Sequence, residues 1–285
     1  MRTSSLIRLV VLILLCGASW VAYSQLGQTP AKLNTVKIKN NLYMIHNEIA
    51  PGNTTVLVTD DGLLLVDDKF AVDHDNLMAE VKKISTKPVK YVISTHHHGD
   101  HTGGNPAMQK MGVTVIASEQ ARQNMIDGKQ PGPPDIAIER HSTVTLGGKT
   151  VEMYYFGRAH TNGDIVILFP EDRVLAAGDM FTFGDATPQL IDYSGGGSAK
   201  EWTPTLDAVL KLDFDTVVPG HGNLAKRPDM VAFRNTTLAL RNRAHQMQME
   251  KKSRDEIGKV LKSEFKWGDL QFALSLDGLL GETAR

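Results

Sequence analysis

The chain is poor in cysteine and in net charge, and it lacks a long apolar run. One cysteine, Cys16, stands among 285 residues, so no intramolecular disulfide can form. Lys and Arg number 31 against 32 Asp and Glu, a formal net charge of −1. That balance excludes a bulk electrostatic grip on nucleic acid or anionic lipid. The wholly apolar run Leu9 to Leu15 falls well short of the about 20 residues that span a bilayer. What is present is a globular composition, 41% hydrophobic, 22% charged and 6% aromatic, unlike that of a disordered or fibrous chain.

The first residues read as an address rather than as part of the fold. Arg2 and Arg8 make a basic start, the apolar run follows, and small residues lead to Ala22-Tyr23-Ser24. This is the pattern of a secretory signal peptide over residues 1–24, with cleavage after Ser24. The alternatives are a retained N-terminal anchor and a lipoprotein. The lipoprotein needs a small residue before Cys16 and meets Leu15 instead. Cleavage removes two arginines and the only cysteine, leaving 29 basic against 32 acidic residues, a charge of −3. Residues 25–285 then form an exported, periplasmic or extracellular protein without a stable membrane anchor. It holds together by its core, aided by metal.

Strand-like and helix-like stretches alternate along residues 25–285, and no repeat or linker divides them. Thr35 to Lys39 and Leu42 to His46 flank Asn40-Asn41 as a hairpin. Thr54 to Thr59 and Leu63 to Val66 flank Asp61-Gly62 as a second. Helices are expected over Val72 to Ile84, Pro106 to Met111, Glu119 to Ile126, Glu201 to Lys211 and Met230 to Gln248. Buried strands are expected at Val89 to Ser94, Val113 to Ala117, Val144 to Leu146, Val151 to Phe156, Ile165 to Phe169, Val174 to Ala177 and Thr216 to Val218. Two long loops, Gly128 to Pro134 and Asp185 to Ser198, are rich in glycine or proline.

The chemistry concentrates in His96-His97-His98-Gly99-Asp100-His101, where a buried strand ends. Ligand-bearing loops hang from strand ends in this way. In an extended segment His96, His98 and Asp100 face one side, His97 points elsewhere, and His101 reaches back past the turn. Four ligand-type residues in six positions exceed what one tetrahedral zinc takes from a local segment, so two metals are the natural reading. His160, Asp179 and His221 each follow an apolar run in a glycine-containing segment. Taken singly each is an ordinary turn residue; their shared place at strand ends lets them converge. His46, His74, His141 and His245 read as structural or solvated.

With these residues in this order, the sequence resembles the metallo-β-lactamase superfamily over nearly the whole of residues 25–285. The match runs through His96-x-His98-x-Asp100-His101, His160, Asp179 and His221, and includes Val66-Asp67 and Pro219-Gly220-His221-Gly222. The resemblance implies an α+β fold, a four-layer αββα sandwich with the metals at one edge. It implies one zinc on His96, His98 and His160, a second on Asp100, His101 and His221, and Asp179 bridging them, with iron or manganese also compatible. Asp67 would orient a ligand histidine from behind, and Asp164 and Thr161 are weaker candidates for the same task. The implied activity is hydrolysis of a carbonyl substrate (β-lactam, lactone or thioester) by hydroxide generated on the metals and oriented by Asp100. The expected partner is a small molecule and not nucleic acid.

Many zinc β-lactamases carry Cys or Ser where this chain has Asp179; the bridging Asp belongs to thioesterases, lactonases and phosphodiesterases of the superfamily. Export points the other way, toward the β-lactamases. His98, where flavodiiron relatives carry Glu, argues against that branch. The alternatives are an iron-dependent oxidoreductase like the persulfide dioxygenases, and a non-catalytic metal-binding protein. Substrate choice is expected in Asn47 to Asn53, Gly128 to Pro134 and Asp185 to Ser198, with Phe181, Phe183, Tyr193 and the cations Arg158, Lys226 and Arg227 nearby.

Overall fold

The computed structural model describes residues 29–47, 50–184 and 189–284. Residues 1–24, expected to be a signal peptide, therefore lie outside the described residues, as do parts of the loops at 47–53 and 185–198.

The first half builds a seven-stranded sheet in chain order: β1 (Asn34–Lys39), β2 (Leu42–His46), β3 (Thr54–Val58), β4 (Leu63–Val66), β5 (Val89–Ile93), β6 (Thr114–Ser118) and β7 (Ile136–Ile138). β1 to β4 are antiparallel hairpins, and β4 to β7 run parallel. Parallel neighbours need crossovers, which carry α1 (His74–Ile84), α2 (Gly99–Thr102), α3 (Asn105–Lys110) and α4 (Glu119–Asp127). The second sheet is ordered β13-β12-β11-β10-β9-β8, from β8 (His141–Leu146), β9 (Lys149–Tyr154), β10 (Val166–Phe169), β11 (Val174–Ala176), β12 (Thr216–Val218) and β13 (Ala225–Lys226). Its helices are α5 (Ala199–Val209), α6 (Arg227–Met249), α7 (Arg254–Phe265) and α8 (Asp269–Thr283).

The central strands β4, β10 and β11 are apolar at every position because both faces of each sheet are buried there, whereas the outer strands β1 and β8 alternate with polar, exposed residues. Leu64, Val66, Ile93 and Ile116 of the first sheet meet Ile167, Phe169, Val174, Ala176 and Val218 of the second between the sheets. Their alternating neighbours Leu63, Leu65, Val92 and Val115 pack outward on Leu77 and Val81 of α1 and Met108 of α3. Val166, Leu168, Leu175 and Val217 pack outward on α5 to α8, through Trp202, Leu206, Leu240, Leu261 and Leu276. The period-two alternation thus feeds three cores in four layers, the αββα sandwich expected from the sequence.

The hairpins and the helix after β4 lie where the sequence puts them, within a residue or two. Five elements were not expected: the three-residue β7, the two-residue β13, the four-residue helix α2, and the helices α7 and α8. Among the described residues no helix is long and apolar enough to cross a membrane.

Candidate metal centre

β4, β5, β11 and β12 all end at one edge of the sandwich, and the β9–β10 connection returns there. The polar residues that follow therefore meet. His96 comes three residues after β5, His160 from the β9–β10 connection, Asp179 three residues after β11, and His221 three residues after β12. Three groups with metal-capable spacing result among the described residues; one, His97, His98 and Asp192, lies behind His98, and the other two hold the residues expected at the centre. Of these two, His96, His98, His160 and Asp179 form the first, and Asp100, His101 and His221 the second, ligand atoms within 4.8 Å of one another in each.

The extended-segment expectation holds for His96 and His98 and stops there. His98 is still extended, at φ −68° and ψ 146°, but α2 begins at Gly99. Asp100 is thus turned away from the His96 group and delivered with His101 to the second. His97 points elsewhere, as expected: its Nδ1 lies 3.3 Å from Asn124 Nδ2 and its Nε2 3.9 Å from Asp192.

In His96, His98, His101 and His160 the ring nitrogen away from the centre has a partner that sets the tautomer. Asp67, at the end of β4, accepts from Thr95 N–H at 2.7 Å, from Thr95 Oγ1 at 2.8 Å and from His101 Nδ1 at 2.7 Å. With its proton given to Asp67, Thr95 Oγ1 accepts from His96 Nδ1 at 3.0 Å. His160 Nδ1 donates to the Leu190 carbonyl at 2.6 Å, and His98 Nε2 donates to Asp192 Oδ2 at 2.9 Å. In this arrangement His96, His101 and His160 turn Nε2, and His98 turns Nδ1, toward the centre. Carboxylate and carbonyl partners of this kind orient metal-binding histidines and raise their basicity.

The donor set fits metal ions. Nε2 of His96, Nε2 of His101 and Oδ1 of Asp179 are buried without a hydrogen-bond partner, which is costly unless something else satisfies them. His160 Nε2 and His98 Nδ1 face each other at 3.0 Å as two lone pairs, a contact that a shared cation turns from repulsive to favourable. Asp179 presents Oδ1 to His101 Nε2 at 3.3 Å and to His221 Nε2 at 3.4 Å, and Oδ2 to His160 Nε2 at 3.6 Å. Asp100 Oδ2 lies 3.2 Å from His221 Nε2 and 3.5 Å from His101 Nε2.

Charge follows this layout. Burial holds His96 well below the usual imidazole range and His160 at about 4, so both are neutral and ligand-competent at pH 7. Burial also opposes charge on His221, but Asp179 and Asp100 outweigh it and push its pKa up to about 10. The same contest raises His101 well above its ordinary value, through Asp100, Asp179 and Asp67. Asp179 and Asp100 stay ionised despite burial, held by His221 and His101. The carboxylate pair demands positive charge at this spot.

Two glycines make room. A Cβ at Gly220 would lie 1.9 Å from Asp179 Oδ1. Gly178 adopts φ +51°, and a Cβ there would lie 2.4 Å from Thr95 Oγ1.

Other candidates take different places. Asp164 accepts from Thr161 N–H at 2.8 Å and from Thr161 Oγ1 at 2.6 Å, shaping the turn after His160 rather than touching a candidate ligand; burial raises its pKa to about 7. Arg158 donates to the carbonyls of Gly196 at 2.6 Å and Gly197 at 3.0 Å and so braces the glycine loop. Lys226 reaches Thr216 Oγ1 at 3.0 Å, and Arg227 the carbonyls of Leu210, Leu212 and Phe214. Phe181 is core against Phe233, and Tyr193 donates to Glu282 at 2.9 Å. His46, His74, His141 and His245 enter no metal-capable group among the described residues.

Sequence reasoning missed Asp192, the Leu190 carbonyl and the orienting role of Thr95. It also missed Lys69, fully buried, whose Nζ donates to Ile45 O at 2.9 Å and Gly52 O at 2.7 Å. That bond holds Gly52 against the His101 ring. Only Thr95 carried a signal, its place beside the histidine motif.

The metallo-β-lactamase superfamily model matches residues 49–221. The chain is 30% identical over 202 residues to a type 2 metallo-β-lactamase of Bacillus cereus, covering 67% of this chain and 75% of that one. It is 24% identical over 204 residues to a type 2 metallo-β-lactamase of Elizabethkingia meningoseptica, covering 68% and 81%. Among solved structures, a metallo-β-lactamase from Pontibacter korlensis superposes with TM-score 0.66 at 22% identity, over 73% of this chain and 99% of that one. The DIM-1 metallo-β-lactamase gives 0.64 at 20%, over 73% and 98%. Ligand geometry, fold and sequence agree: the chain belongs to the metallo-β-lactamase superfamily and is a β-lactamase-like, metal-dependent hydrolase.

Proposed function

We propose that this chain is an exported dinuclear zinc hydrolase acting on a small carbonyl substrate: a β-lactam, a lactone or a thioester. One observation carries the reading. The two oxygens of Asp179 face two separate ligand groups, at 3.3 and 3.4 Å on one side and 3.6 Å on the other, as a bridge between two ions requires. In this reading His96, His98 and His160 would hold one ion and Asp100, His101 and His221 the other, with Asp179 available to both. All-nitrogen and oxygen donors suit zinc, and would also accept iron or manganese. When bound, the ions supply Lewis acidity toward the substrate oxygen and acidify a water to near neutrality.

The chain's own residues do the rest. Asp100 keeps 20% of its side chain exposed and His98 26%, whereas His101 is fully buried. Substrate therefore approaches over Asp100 and His98. The ionised Asp100 carboxylate accepts a hydrogen bond from the attacking water and orients it. Asp67 and Thr95 keep His101 and His96 from rotating. The names of the relatives favour a β-lactam; the bridging Asp179 favours a lactone or thioester. Residues 1–24 act as the signal peptide, and residues 25–285 form one hydrolase domain in the periplasm or outside the cell, with neither a membrane anchor nor nucleic acid as partner.

Metal analysis and a panel of β-lactam, lactone, thioester and phosphodiester substrates, on one preparation, test the reading. Two zinc ions per chain with turnover of a carbonyl substrate is the expected result. One iron per chain with oxygen consumption, or two zinc ions with no turnover on the panel, overturns it. The exported protein should begin at Gln25.

A further inference from the structure

Two histidines of the first ligand group, His98 and His160, are held by a loop, and the loop is held by a helix far along the chain. His160 Nδ1 donates to Leu190 O and His98 Nε2 to Asp192 Oδ2. Between these two acceptors sits Ile191, fully buried. Ser275 of α8 grips Ile191 on both sides: its Oγ accepts from Ile191 N–H at 2.9 Å and donates to Ile191 O at 3.0 Å.

Seven residues on, Glu282 closes the far side of the same loop. It accepts from Tyr193 Oη at 2.9 Å, from Lys200 N–H at 3.1 Å and from Ser198 Oγ. Gly278, one helical turn from Ser275, lets the Tyr193 ring lie on the helix; a Cβ there would come within 2.1 Å of the ring. The whole of α8 lies outside residues 49–221 matched by the superfamily model.

We infer that α8 is a positioning element for the first metal site: Ser275 and Glu282 lock the Leu190–Asp192 strip, which fixes the tautomers and ring angles of His98 and His160. This rests on the ligand assignment proposed above. A metal site needs its side chains held to within roughly 0.5 Å, and a loop without such a brace is too mobile to provide this. The second group needs no such brace, because His101 leans on Asp67 at the end of β4.

The test separates the two sites. In a His221→Ala background the first group is titrated alone; in a His160→Ala background, the second. Cobalt affinity is measured in each by competition with a chromophoric chelator, together with the visible spectrum of bound cobalt. Ser275→Ala should weaken cobalt binding about 10-fold in the first background, the lower end for an outer partner of a ligand, and alter its spectrum. In the second background it should change neither. Asp192→Ala should reproduce the pattern more strongly, and Glu282→Gln more weakly. If Ser275→Ala does not fold, Glu282→Gln carries the same comparison. Unchanged affinity and spectrum in the first background overturn the inference. So does an equal loss in both, which would mark general loosening. Failure of the His221→Ala protein itself to bind cobalt overturns the ligand assignment, and this inference with it.

Discussion

The two ligand groups are built from the same residue types yet braced by different parts of the molecule. The second group leans on the sandwich itself. His101 sits on a helical turn and gives its Nδ1 proton to Asp67, one residue past β4. Two members of the first group, His98 and His160, instead lean on Asp192 and Leu190, in a loop with no strand of its own. His96 joins the two arrangements, because its partner Thr95 shares the Asp67 carboxylate. Rigidity is inherited at one site and supplied by added chain at the other. The loop-braced site is then the one that changes outside the strands can tune.

The largest effect should come from removing the residue common to both groups. Asp179→Ala should cost both ions and lower hydrolysis by more than the about 10–100-fold expected for an outer partner, checked by metal content and steady-state rates. Next comes Asp67→Ala. Because Asp67 serves His101 directly and His96 through Thr95, both sites should lose affinity, by about 10–100-fold each, in two-site metal titrations. Asp192→Ala should weaken the first site by a similar factor and spare the second. An equal loss at both would erase the contrast drawn here.

A different kind of effect, on stability rather than on metal affinity, concerns pH. Burial raises the Asp164 pKa to about 7 from an unfolded value of about 3.9. Between these values the folded chain binds more protons than the unfolded one, so stability should fall as pH rises through that window. Asp164→Asn should flatten this slope in chemical denaturation followed from pH 4 to 7. A slope of the same size in the variant would remove Asp164 from the account.

Much of this was legible in the sequence because the signals were local. Strands buried on both faces read as apolar runs, and the turn residues Asn40-Asn41 and Asp61-Gly62 mark the hairpins. The histidine motif and its distant companions follow from residue type and place at strand ends. Asp67 came only with the family resemblance, through the Val66-Asp67 part of the match.

What was not legible depends on contacts between distant segments. Asp192 lies in a loop whose glycines say only that it turns. Its meaning comes from His98, 94 residues away. α7 and α8 carry Gly258 and Gly278 inside them, and glycine weakens a helical reading. In the structure each lets an aromatic ring approach, Phe272 at one and Tyr193 at the other. β7 and β13 are too short for any periodicity to register. Asp100 shows the opposite failure: a valid rule for extended chain, carried one residue beyond the point where the chain turns helical.

Gly220 sets a boundary on how this architecture can diversify. Its missing side chain leaves the gap through which Asp179 reaches both ligand groups, and even a methyl would overlap the carboxylate. The floor of the cleft therefore tolerates no redesign. Any new substrate must be admitted by rewriting the rim, and only where the change spares Leu190 and Asp192, which hold His160 and His98.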